Sequence, residues 1–152
     1  MDTSGFFNYP TLPASEPVLD PGFLPDATER EWDTVLTATE TLRFAPGDVV
    51  LRAGDRDRAF YLLLDGTVEP MASPFAVSAP ATLGAVSFLD GSPRSVTLLA
   101  RTHGEMARMS WDAYEALAAR DPRLGRAILV DLGRGLGARL RAAGHAVAGW
   151  TG

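Results

Sequence analysis

The sequence predicts a mainly β domain, a barrel or β-roll, with helices on either side. Three observations predict it. Between Leu42 and Ser110, short runs rich in Val, Leu, Phe, Tyr and Thr are broken by glycines at 47, 54, 66 and 104. On both sides of that region the apolar residues switch to the three- and four-residue spacing of helices. And 152 residues, 46% of them hydrophobic, suit one domain with an ordinary core.

The elements follow in order. Residues 1–25, "MDTSGFFNYPTLPASEPVLDPGFLP", carry five prolines and the aromatics Phe6, Phe7, Tyr9 and Phe23. Proline at this density precludes helix and favours an extended arm. Such an arm packs on its own domain, docks on a partner, or stays disordered. Asp26 then reads as an N-cap for a helix over about 27–39, with Trp32, Val35 and Leu36 on one face. Pro46-Gly47-Asp48 and Gly54-Asp55 read as turns. Asp65-Gly66, between "AFYLLL" and "TVEPM", reads as a two-residue hairpin with positive φ at both positions. "FAVSA", "SVTLLAR" and "GEMARMS" read as further strands, the last two around a turn at His103-Gly104.

Helix returns at Ser110, which caps "WDAYEALAAR". Asp121-Pro122 starts a long helix over about 122–143, with proline in its first turn. Leu124, Ile128, Leu132, Leu136 and Leu140 form a stripe along it, which suggests a lever or a homodimer interface. Gly133, Gly135 and Gly137 each weaken that helix by roughly 1 kcal/mol relative to alanine. They mark a close backbone approach, a bend, or merely a glycine-rich composition. Residues 144–152 are a short tail.

Composition excludes several chemistries. There is no cysteine, so disulfides and thiolate-bound zinc are out; the two histidines are far apart, which disfavours a metal site. All 14 basic residues are arginine, so Schiff-base catalysis is impossible. A composition rich in alanine, glycine and arginine suits a bacterium with a GC-rich genome. Residues 1–93 hold 5 Arg against 14 acids, net −9; residues 94–152 hold 9 against 5, net +4. The total of −5 disfavours bulk nucleic-acid binding. The longest uncharged run, residues 70–89, is interrupted by Pro70, Pro74, Pro80 and Gly84, so no membrane span is expected. With no basic leader segment, a cytoplasmic protein is the expectation. No nucleophile–base pair or pair of carboxylates emerges, so an enzyme is not expected.

The remaining candidate is "LGAVSFLDGSPRSVTL", residues 83–98. With "PGDVVLRAGDRDRAFYLLLDGTVE" before it, and in this order of elements, the chain resembles the cyclic-nucleotide-binding domain, the sensor module of the catabolite activator protein family. The resemblance covers about residues 27–143. It implies a double-stranded β-helix, a jelly-roll-like β-roll, with an N-terminal helix and two C-terminal helices. It implies a phosphate-binding cassette in which the backbone of Gly84, Ala85, Val86 and Ser87 faces an anion, helped by Arg94 and Ser95. For Arg94, a salt bridge to Asp90 or another nearby acid is the competing reading.

The chain departs from the family at two places. The glutamate that accepts the ribose hydroxyl falls at Ala85. Loss of one charged hydrogen bond weakens binding by roughly 1.5–3 kcal/mol, about 10- to 150-fold. The long helix, which caps the pocket in the family, has no Ser, Thr, Asn or Gln from Asp112 to Trp150, leaving Arg134 and Arg139 as candidate lid residues. The helix-turn-helix of the transcription factors is missing, so direct DNA binding is not expected. Two functions follow: a regulatory module sensing a cyclic nucleotide (cyclic AMP or cyclic GMP) weakly, or another small anion, and signalling to a partner protein; or an adaptor of the same fold that binds no ligand. Either way, the protein partner would meet the N-terminal arm or residues 122–143. No cofactor is expected.

Overall fold

The computed structural model describes residues 22–146; residues 1–21 and 147–152, and with them most of the arm and tail, lie outside the described residues. The elements are α1 (Glu29–Thr37), β1 (Glu40–Phe44), β2 (Val49–Leu51), β3 (Ala59–Asp65), β4 (Thr67–Pro70), β5 (Val77–Ser78), β6 (Ala81–Leu83), α2 (Ala85–Asp90), β7 (Leu98–Ala100), β8 (Gly104–Ser110), α3 (Trp111–Arg120) and α4 (Pro122–Ala146). Two antiparallel four-stranded sheets, ordered β1-β8-β3-β6 and β2-β7-β4-β5, make the β-roll. This is the predicted architecture.

The central strand β3 shows why the layers form. Its first five residues are all buried. Phe60 and Leu62 point to the helices, while Tyr61 and Leu63 point between the sheets, as the period of two requires. The inner cluster includes Leu51, Tyr61, Leu63, Val68, Leu83 and Leu98. The outer cluster joins Phe60 and Leu62 to Val35, Phe88, Leu117 and Ile128. The long helix therefore lies on the outer face of the first sheet.

Two local readings are corrected. Helix α1 is capped by Thr28, not Asp26. The Thr28 hydroxyl accepts from the Glu31 amide at 3.1 Å, and the Glu31 carboxylate accepts from the Thr28 amide at 3.0 Å. This reciprocal box satisfies two end groups at once, which an isolated Asp26 does not. Asp65-Gly66 is not a hairpin turn, because β3 and β4 belong to different sheets. Gly66 alone takes positive φ there, 96°, and a Cβ on it would meet the His103 carbonyl at 2.7 Å and the Gly104 Cα at 2.9 Å. It is a corner where the chain changes sheets. The turn expected at His103-Gly104 is present between β7 and β8, and it too carries the chain from one sheet to the other.

The leucine stripe is used within the chain. Leu124, Ile128 and Leu132 are buried in the outer cluster, Leu136 packs against it, and Leu140 is 65% exposed. Helix α4 runs unbroken through its glycines, and a Cβ on Gly133 would meet nothing within 4 Å. The close approach is at Gly125 instead, where a Cβ would meet the Ala118 Cβ at 2.6 Å and its Cα at 2.9 Å. Gly133→Ala is therefore expected to raise unfolding stability by about 1 kcal/mol, the helix propensity difference. Gly125→Ala is expected to lower it by about 1–3 kcal/mol, through overpacking against backbone. Urea denaturation of both variants checks the opposite signs.

Candidate functional site: the Arg94 cavity

The cassette folds from its glycines outward. Gly84 has φ 75° and Gly91 has φ 73°, left-handed conformations that start and stop α2 within six residues. The first intrahelical bond runs from the Phe88 amide to the Gly84 carbonyl at 3.2 Å. The amides of Ala85, Val86 and Ser87 thus have no acceptor inside the helix. Arg58 holds the other end: its Nε donates to the Phe88 carbonyl at 2.9 Å and its Nη2 to the Leu89 carbonyl at 3.1 Å. Its guanidinium lies 3.7 Å from the centre of the Trp111 ring. A cation at these carbonyls complements the negative end of the helix.

The segment after α2 is fastened to the loop before β3. The Arg94 amide donates to the Asp55 carbonyl at 2.8 Å, and the Gly54 amide donates to the Arg94 carbonyl at 2.7 Å. The Ala53 amide donates to the Thr97 hydroxyl at 2.9 Å. This ladder aims the Arg94 side chain inward, where the residue is 5% exposed. Nη1 donates to the Gly84 carbonyl at 2.9 Å and Nη2 to the Ala59 carbonyl at 2.7 Å. Nε is buried and has no hydrogen-bond partner among the described residues. A cavity of about 30 Å³ lies alongside, lined by Gly84, Ala85, Val86, Ser87, Arg94 and Ser95, with Leu51, Val96 and Leu98 as its apolar wall. This space suits a water or two, or a small anion.

Arg94 does pair with an acid, but it is Asp57 at 3.6 Å. Asp90 instead accepts from the Ser92 amide and hydroxyl at 2.8 and 2.6 Å, which hold its carboxyl below the usual range. Asp57 is shared. It receives the Tyr61 hydroxyl at 2.5 Å, a close bond from Nη2 of Arg108 and a longer one from its Nε at 3.4 Å; Arg108 also meets Glu40 at 3.6 Å. The nearer cation to Asp57 is thus Arg108, and the buried charge of Arg94 is only partly balanced.

Burial alone would raise the carboxyl of Asp57, but the bonds from Arg108 and Tyr61 and the charges of Arg108 and Arg94 outweigh it and leave it below its ordinary 3.8. Burial, then the bond to Asp57, pushes the Tyr61 phenol up to about 12. The carboxylate binds its proton less readily when folded, so its contribution to stability is present above pH 3.8 and is lost as pH falls below that value. The midpoint of thermal unfolding is expected to drop more steeply below about pH 4 in the natural protein than in Asp57→Asn. Parallel slopes by circular dichroism would remove this role.

The structure brings Gly84, Ala85, Val86, Ser87, Arg94 and Ser95 to one cavity. It does not bring Arg134 or Arg139 there. Arg134 is on the exposed side of α4, paired with Asp131 at 3.1 Å. Arg139 is 3% exposed and donates to the Thr82 carbonyl at 3.3 Å. Asp131 also receives the Leu24 amide at 2.9 Å, pinning the chain before α1 to α4. Sequence reasoning missed Asp57, Tyr61, Arg108 and Arg58. Asp57 and Arg58 look like loop charges in "GDRDR", and only strand pairing puts Tyr61 opposite Arg108.

Known proteins share this fold. The chain is 26% identical to a cyclic nucleotide-binding domain from Methylobacillus flagellatus, with TM-score 0.75, covering 86% of this chain and 78% of that one. It superposes on the Thermus thermophilus catabolite activator protein with TM-score 0.71 at 22% identity, covering 83% and 61%. Over 97 residues it is 29% identical to a cAMP-dependent protein kinase regulatory subunit of Hypocrea atroviridis, covering 62% of this chain and 21% of that protein. The chain thus spans about a fifth of that curated relative. No helix among the described residues is long and apolar enough to cross a membrane. The family model of the cyclic nucleotide-binding domain matches residues 41–121, just over half of the sequence, and the chain belongs to that family.

Proposed function

We propose that this domain is a regulatory module that senses a small anion or, weakly, a cyclic nucleotide, and passes the signal to a partner protein. The observation that carries this reading is Arg94: a buried, partly balanced guanidinium with an unpartnered Nε beside a cavity that also takes Ser87 and Ser95. A buried cation in this state gains from an anion placed within hydrogen-bond reach. The regulatory subunits among its relatives support an output to another chain. Ala85 offers no acceptor to a ribose hydroxyl, which supports weak rather than tight nucleotide binding.

The adaptor reading keeps one observation in its favour. A cavity of about 30 Å³ holds no nucleotide without opening. Calorimetry with cyclic AMP, cyclic GMP and inorganic phosphate separates the two. Heat of binding to the natural protein, lost at least tenfold in affinity in Arg94→Ala, supports sensing. No heat at millimolar concentrations of any of the three, with Arg94→Ala identical to the natural protein, leaves the adaptor.

A further inference from the structure

We propose that Asp57 is an internal counter-anion of the Arg94 site, and that its carboxylate sets how tightly an outside anion is held. The proposal rests on the reading of the Arg94 cavity as an anion site. Its first support is position. A second cavity, of about 130 Å³, is lined by Arg52, Asp55, Asp57, Tyr61 and Arg94, and it shares Leu51 and Arg94 with the cassette cavity. Arg94 therefore stands between the two spaces, with the cassette on one side and Asp57 on the other.

The second support is the way the guanidinium is held. Its pose is set by two backbone carbonyls, Gly84 and Ala59, at 2.9 and 2.7 Å. Asp57 stands at 3.6 Å, beyond hydrogen-bond length, and is anchored by Tyr61 and Arg108. Its effect on Arg94 is therefore charge rather than posture. A carboxylate at that distance lowers the positive potential that an incoming anion meets. The remaining carboxylate around the second cavity, Asp55, has no contact of this kind with Arg94 among the described residues, although its carbonyl accepts from the Arg94 amide. Arg108 works in the opposite sense. By binding Asp57 closely, it draws the carboxylate's charge away from Arg94.

The two side chains thus have opposite expected effects. Asp57→Asn keeps the size and the carbonyl bonds of Arg94 and removes the competing charge. It is expected to tighten binding of inorganic phosphate and of cyclic AMP at least tenfold. Arg108→Gln leaves Asp57 to act on Arg94 alone, and weaker binding of the same probes is expected, at least threefold. A purely structural role of this cluster would loosen the site in both variants. The measurement is calorimetric titration of the full chain and the variants, with folding checked by circular dichroism. Tighter binding in Asp57→Asn supports the proposal, including where the natural protein itself shows no heat. Equal or weaker binding in that variant overturns it, while a loss of binding in Arg94→Ala keeps the anion-site reading intact. Should Asp57→Asn fail to fold, Arg108→Gln decides, and unchanged or tighter binding there overturns the proposal. No heat in either protein, the natural one and a folded Asp57→Asn both silent, overturns the proposal and the anion-site reading together.

Discussion

Gly84→Ala is expected to lose both stability and the seating of Arg94, by about 3 kcal/mol or more in unfolding free energy. Two effects add. The backbone at Gly84 has φ 75°, a left-handed conformation that costs an alanine about 1 kcal/mol. The larger effect is steric. A Cβ there would lie 2.3 Å from Nη1 of Arg94 and 3.3 Å from the Ala59 carbonyl. The atom struck carries the bond to the Gly84 carbonyl, so Arg94, only 5% exposed, must shift toward the spaces beside it and give up its bonds to the Gly84 and Ala59 carbonyls. Each hydrogen bond from a charged donor is worth roughly 1.5–3 kcal/mol. The cause can be isolated. In an Arg94→Ala background the clash with the guanidinium is gone, and Gly84→Ala should then cost only the backbone strain and the tight contact with the Ala59 carbonyl. A double-mutant cycle by chemical denaturation measures the difference. Additive losses would mean that Arg94 is not what the methyl group strikes.

Phe88→Ala is expected to be the most damaging core change near the site, at about 3–5 kcal/mol. Phe88 is fully buried on α2, and its ring stands 4.9 Å from Phe60, 5.1 Å from Trp111 and 5.5 Å from Tyr114. It joins the cassette helix to the sheet on one side and to α3 on the other. Removing the ring leaves a large cavity and frees α2 from the elements that hold it. Urea denaturation checks the magnitude, and Phe88→Leu should recover more than half of the loss, because it refills most of the space. A loss below about 1 kcal/mol for Phe88→Ala would mean that the aromatic cluster does not hold the cassette.

How much of this was legible beforehand depended on whether the cause was local. Ser110 caps α3 as its position suggests, accepting from the Ala113 amide at 3.1 Å. Asp121 opens α4 in the same way, accepting from the Leu124 amide at 3.1 Å. These calls succeeded because a cap involves residues three apart in sequence. The turn glycines at 47 and 54 were also legible, with φ 92° and 90°, since glycine takes a left-handed φ without steric cost. Asp65-Gly66 was misread because a hairpin and a sheet-crossing corner need the same turn residues. They differ only in which strands pair, and that is settled over the whole roll. The leucine stripe on α4 was legible as a buried face, but what buries it was not. Periodicity says that a face is covered and not by which surface.

The amino-acid order alone was enough for the class of fold and for the helix limits to within a few residues. Both rest on short-range rules: turn geometry, capping and hydrophobic period. What required the folded chain was the electrostatics of the site. Asp57 and Arg108 are 51 positions apart and Arg94 and Ala59 are 35 apart, and each pair meets only because β3 and β8 are neighbours and the cassette folds back over the loop before β3. The affinity of a buried guanidinium depends on which carbonyls and carboxylates surround it, since Coulomb energy follows distance in space and not separation along the chain. The chain's order could name Arg94 as the cation. The fold alone could show that Asp57 answers it and that the long helix rests on the far side of the sheet.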